Sequence, residues 1–189
     1  MVGGGAVGSV VASKCALARG THAKIVLLGR SLPGPGIPPE VVRVTALPLG
    51  DSYDVAVFCT KAQDIFEAAR MLKCGSNGIR ISVAVSLCNG IEGKDELQRA
   101  FQNEPGNLGI ECLSGVTYLG AAKKKDGSVL QTGVGPTIAQ RPISVSLPRL
   151  FDDWQWSDAD VTGMLWSALL LEARCGSRAP AHLKQKNSW

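Results

Sequence analysis

A chain of 189 residues with 45% hydrophobic content is long enough to bury one full domain and part of a second. Its formal net charge of +4 is mild and no Lys/Arg stripe with interleaved aromatics occurs, so no nucleic-acid partner is expected. No apolar run reaches membrane-spanning length, and no charged segment leads into an apolar one at the N-terminus; the expectation is a cytoplasmic protein without membrane contact.

The opening, Met1-Val2-Gly3-Gly4-Gly5-Ala6-Val7-Gly8, sets Gly3, Gly5 and Gly8 in the pattern G-x-G-x-x-G. Such a turn suits a dinucleotide pyrophosphate. The first glycine permits the tight bend, the second lets the backbone approach the phosphates, and the third lets the next helix pack closely. Free N–H groups at that helix N-terminus, around Ala6 and Val7, would face the anion. A helix is expected over Val10–Ala18, stopped by Gly20, followed by a buried strand over Lys24–Leu28. The fingerprint should follow a strand, yet only Met1 and Val2 precede Gly3. Most of the first strand is therefore missing, and two ladder edges are expected to be open. A shortened chain and a compromised domain both account for this.

Gly29-Arg30 and a Pro/Gly-rich loop to Pro39 come next, then a strand within Val41–Leu47. Val55–Cys59 is a buried strand, and Asp64 is expected to cap a helix running to about Leu72. A strand over Ile81–Leu87, a helix over Lys94–Phe101 and a strand over Ile110–Leu113 follow. Short strands at Val116–Leu119, Val129–Thr132 and Thr137–Ala139 suggest an antiparallel extension, with Lys123-Lys124-Lys125 beside Asp126-Gly127 as a hairpin flank. Arg141–Pro148 reads as a linker and Asp158–Arg174 as a helix. The fold class is α/β: a Rossmann-type, doubly wound, mostly parallel sheet over residues 1–140. Residues 141–157 form a linker, and 158–189 the start of a helical second domain.

Ligands of such sheets sit beyond the carboxyl ends of the strands, which directs attention to Gly3–Gly8, Gly29-Arg30, Thr60-Lys61 and Cys88-Asn89-Gly90. Arg30 stands where the cofactor ribose is read, and no Asp or Glu occurs between Gly8 and Glu40. A 2′-phosphate, and hence NADPH rather than NADH, is expected. Lys61 could hold a substrate carboxylate or orient the nicotinamide side. Asn89 could donate to a substrate carbonyl or hydroxyl. The six cysteines show no C-x-x-C spacing and no metal-ligand cluster, and no role is assigned to His22 or His182.

These segments, with Gly90-Ile91-Glu92, Gly115–Ala121, Asp160-Val161 and Leu165-Trp166, resemble the ketopantoate reductase (2-dehydropantoate 2-reductase) family in order and spacing. The resemblance implies reduction of a 2-oxo acid, ketopantoate to pantoate, with NADPH. It implies that Gly3, Gly5, Ala6, Val7 and Gly8 bind pyrophosphate, that Arg30 binds the 2′-phosphate, and that Lys61 and Asn89 stand near nicotinamide and substrate. The chain departs from the family at two positions. The family's catalytic lysine falls at Ala168, and an asparagine four residues later falls at Glu172. A catalytically impaired NADP-binding or interaction protein is the alternative expectation. Apolar residues within Val161–Leu171 raise the further expectation of a homo-oligomer through the 158–174 helix.

Overall fold

The computed structural model describes residues 1–30, 36–72, 78–88, 90–102 and 109–168. Helix α1 (Ala6–Arg19) is followed by strands β1 (Ile25–Leu28), β2 (Val41–Val44) and β3 (Ser52–Phe58). Then come helix α2 (Ala62–Arg70), β4 (Arg80–Ser86), α3 (Gly93–Gln102) and β5 (Glu111–Thr117). The chain ends its described part with β6 (Gly120–Lys123), β7 (Val129–Gly133), β8 (Thr137–Gln140), β9 (Trp154–Ser157) and a helix over 162–168.

β1 runs parallel to β2, and β3, β4 and β5 run parallel to one another. Between β1 and β3 stands Val2, bridged in parallel to Leu28 on one side and Phe58 on the other. The Val2 N–H donates to Val57 O at 2.8 Å and Val2 O accepts from Cys59 N–H at 2.8 Å. On the other side Met1 O accepts from Leu28 N–H at 2.8 Å, and the Gly3 N–H donates to Leu28 O at 2.9 Å. The expectation of two open edges is thus corrected at the carboxyl end of the gap. A ladder needs only extended backbone, and three residues supply enough donors and acceptors to join both neighbours. Across the sheet the order is β2-β1-Val2-β3-β4-β5-β8-β9, with β8 antiparallel to β5.

Helices cover both faces, because strand side chains alternate. Ala56, Phe58 and Ala84 meet Ile65, Ala69, Leu97 and Phe101 of α2 and α3. Val57, Val83 and Val85 meet Val10, Val11 and Cys15 of α1. Phe151 and Trp154 complete the α1 face, with ring centroids 5.6 Å apart. They belong to the stretch 141–157 read as a linker, within which β9 lies parallel to β8 and Trp154 is fully buried. Four residues of strand are too short a period to read, but the two tryptophans of Trp154-Gln155-Trp156 supply the apolar area this face needs.

Other boundaries differ as well. α1 begins at Ala6 rather than Val10. The N-cap of α2 is Lys61, and Asp64 sits in the first turn, where its carboxylate meets the positive end of the helix. The strands expected at 110–113 and 116–119 are one strand, β5, since Gly115 marks a close approach rather than a turn. A Cβ there would lie 2.7 Å from Leu87 Cδ2 and 3.1 Å from Ala139 Cβ. The Lys-rich segment is a hairpin flank as expected: Lys124 N–H donates to Ser128 O at 2.8 Å at the end of the β6–β7 ladder. Val161, Leu165 and Ala168 are buried against Val116 and Ile138, so this part of the 158–174 helix turns its apolar side inward. Residues 169–189, with Glu172 among them, lie outside the described residues. No helix among the described residues is long and apolar enough to cross a membrane.

Candidate functional site

Parallel register places the ends of the strands in one row. Val44 pairs with Leu28, Leu28 with Val2, Val2 with Phe58, Phe58 with Ser86, and Ser86 with Ser114. Whatever follows these residues therefore emerges at one edge. Gly29-Arg30 follow β1, the glycine turn follows Val2, Cys59-Thr60-Lys61 follow β3, and Leu87-Cys88 follow β4. The structure brings Gly3, Gly5, Ala6, Val7, Gly8, Arg30 and Lys61 together at this edge. Arg30 lies on one side of the glycine turn and Lys61 on the other. Asn89 lies outside the described residues; its neighbours Cys88 and Gly90 fall between β4 and α3 at the same edge.

The three glycines of the motif meet three different demands. Gly3 has φ +105, a backbone region that L side chains rarely adopt, and a Cβ there would lie 3.0 Å from Cys59 C and 3.0 Å from Thr60 Cγ2. A Cβ on Gly8 would collide with the carbonyl oxygen of Gly3. Gly5 is the N-cap of α1 with φ −74 and ψ −173, an ordinary extended conformation, and a Cβ there would meet nothing within 4 Å. Open space lies over the middle glycine while the outer two are tightly packed. Among the described residues no side chain caps α1, and its first backbone bond runs from Ser9 N–H to Gly5 O at 3.0 Å. The first-turn N–H groups of Ala6, Val7 and Gly8 are the donors such a helix end offers to an anion.

The charge at this edge is positive. Arg30 and Lys61 are exposed, and among the described residues neither forms an ion pair. Lys61 is fixed through its backbone, whose carbonyl accepts from Asp64 N–H at 2.9 Å. Beneath the turn, Cys59 is packed against Gly8, and burial pushes its thiol up to about 12, so no thiolate opposes an anion there. Thr60 Oγ1 is buried without a hydrogen-bond partner among the described residues. At the end of β4, Ser86 Oγ donates to Cys88 Sγ at 3.2 Å. A Cβ on Gly93 would overlap that hydroxyl and lie 2.6 Å from Cys88 Sγ. Gly93 thus lets α3 start directly over β4, a requirement that sequence reasoning missed; its only trace was a glycine at the start of a helical pattern. Ala168 is buried on the sheet and presents only a methyl group.

A family model for ketopantoate reductase (PanE/ApbA) matches residues 35–142, more than half of the chain. The chain belongs to the ketopantoate reductase family. The matched segment contains Lys61 and Asn89 and leaves the glycine turn and Arg30 outside it. Two solved structures share the fold. One is a PanE/ApbA family ketopantoate reductase from Ralstonia eutropha, with TM-score 0.60 and 20% identity over 90% of this chain and 59% of the other. The second is a probable 2-dehydropantoate 2-reductase, PanE, from Bacillus subtilis, with TM-score 0.62 and 18% identity over 90% of this chain and 61% of the other. The chain therefore spans about three fifths of the length of these ketopantoate reductases. No curated protein matches it significantly.

Proposed function

We propose that this chain binds NADPH along the carboxyl edge of the sheet and presents it to a small 2-oxo acid, the reaction being reduction of ketopantoate to pantoate. The observation that carries this reading is the row of strand ends that sets the glycine turn between Arg30 and Lys61. The packing fits a dinucleotide. Gly3 and Gly8 close the turn, Gly5 leaves room for phosphates, and Ala6, Val7 and Gly8 offer N–H groups to them. Arg30 is assigned to the 2′-phosphate, and Lys61 and Asn89 to the nicotinamide and substrate side. Bound NADPH supplies a hydride. The protein's own part is to hold the substrate carboxylate, orient the carbonyl, and place a cation beside its oxygen as charge develops there. Lys61 is the cation assigned to that task.

A second reading, a cofactor-binding protein with impaired turnover, is favoured by Ala168. An alanine at the family's lysine position supplies neither proton nor charge, and the loss of one positioned acid costs on the order of 10²–10⁴ in rate. Both readings place the cofactor on residues 1–140 and begin the substrate-side helical part near 158. Met164 and Trp166, exposed on the helix over 162–168, are the residues through which two copies would associate. Fluorescence titration with NADPH, paired with an assay of ketopantoate-dependent NADPH oxidation, separates the two. Binding with turnover supports the reductase and binding without turnover the second reading. Absence of binding contradicts both.

A further inference from the structure

The end of β3 carries a polar group that the reading above leaves unused. Thr60 lies between Cys59 and Lys61. Its Cγ2 stands where a Cβ on Gly3 would approach to 3.0 Å, so the side chain rests on the backbone of the glycine turn. Its hydroxyl oxygen is buried and has no hydrogen-bond partner among the described residues. Native proteins rarely leave a buried hydroxyl alone, because the group gives up water and gets nothing in return. Valine has nearly the same shape and would fill the site without stranding a polar atom, so packing does not explain a threonine here. The three substituents on a threonine Cβ exchange places by staggered χ1 rotations. One such step puts Oγ1 where Cγ2 now stands, against Gly3.

We propose that the Thr60 hydroxyl is a binding group of the glycine-turn cleft, donating a hydrogen bond to a phosphoryl oxygen held there. The inference rests on the NADPH reading and adds one contact to it. Thr60 is well placed for this contact. The direction in which the chain winds along the sheet reverses between Val2 and β3, since α1 leaves Val2 on one face and α2 leaves β3 on the other. Ligands of doubly wound sheets cross that crevice, and a pyrophosphate lying over the glycine turn comes within reach of the first residues after β3. A hydroxyl donating to an anionic oxygen makes a stronger bond than one donating to a neutral oxygen, so the group that is stranded in the free protein gains when phosphate is present.

The test uses Thr60→Val, which keeps the shape, and Thr60→Ser, which keeps the hydroxyl. The probes are NADPH and adenosine 2′-monophosphate, the latter lacking the pyrophosphate. T60V is expected to weaken NADPH binding about tenfold, to leave adenosine 2′-monophosphate binding unchanged, and to unfold no earlier than the parent chain. T60S is expected to keep the parent affinity for NADPH. If T60V binds NADPH as tightly as the parent, or weakens both probes alike, the inference is overturned while the cofactor reading stands on the parent's own binding. If the parent chain itself does not bind NADPH, both are overturned.

Discussion

The carbonyl oxygen of Gly3 occupies the space that a side chain on Gly8 would need. The two residues close the turn as a pair, Gly3 through its positive φ and Gly8 through the absence of a Cβ, and α1 starts where it does because of both. Gly8→Ala must push α1 away from the turn. The expected cost is about 1–3 kcal/mol in urea unfolding, the usual range for overpacking a well-packed site, together with loss of NADPH binding.

Gly5→Ala gives the opposite pattern. Its Cβ would meet nothing within 4 Å among the described residues and its backbone conformation is open to any residue, so the fold should tolerate the change. The same methyl would project into the space assigned to phosphate. G5A should unfold within about 0.5 kcal/mol of the parent chain and bind NADPH roughly tenfold more weakly, the value of one charge-assisted bond. Unfolding curves measured beside titrations check the pair.

Lys14 of α1 reaches Asp153, with Nζ 2.9 Å from Oδ2, and lies 5.6 Å from the centroid of the Phe151 ring. The contact ties the helix of the glycine turn to the segment that carries Trp154. With side chains 24% and 42% exposed, the ion pair itself contributes little. Lys14→Met should cost about 0.2–1 kcal/mol, and Trp154→Ala about 3–5 kcal/mol because a fully buried indole leaves a cavity. Chemical denaturation of the two variants distinguishes these magnitudes.

Glu111, at the start of β5, accepts from the N–H groups of Ile143 and Ser144, each at 2.8 Å, and from the Ser144 hydroxyl. Burial pushes its carboxyl up, but the donors from Ser144 and Ile143 outweigh burial and hold it below the usual carboxylate range. The unfolded carboxyl titrates near about 4.3. Its stabilising contribution is therefore complete above that value and is lost as pH falls through the lower folded value. The melting temperature of the parent chain should fall as the pH is lowered from about 5 to about 3, and Glu111→Gln should flatten that fall.

Much of this architecture was legible in the residues. Val55–Cys59 and Ile81–Leu87 are apolar runs that mark buried parallel strands, and Leu97 and Phe101 point inward as their spacing requires. The glycine turn was legible as a spaced motif after Met1-Val2, and Arg30 and Lys61 as cations two residues past the apolar runs that end at Leu28 and Cys59; the roles assigned to them are proposals. What escaped was tertiary. The pairing of Val2 with both neighbours depends on backbone groups two strands apart, which no local pattern encodes. Gly115 serves a close approach by Leu87 and Ala139, residues distant in sequence, Gly93 serves one by the end of β4 just before it, and β9 is a strand only because β8 and the α1 face receive it. Thr60 stood among the residues flagged at strand ends, but its stranded hydroxyl became visible only with the packing in place.

Titration of NADPH and NADH into the parent chain and Arg30→Met tests the central claim most directly. The parent chain is predicted to bind NADPH more tightly than NADH, and R30M to lose about 10- to 100-fold in NADPH affinity while its NADH affinity stays the same. Equal binding of the two nucleotides by the parent chain, or an R30M variant that holds NADPH as tightly as the parent, would contradict the account.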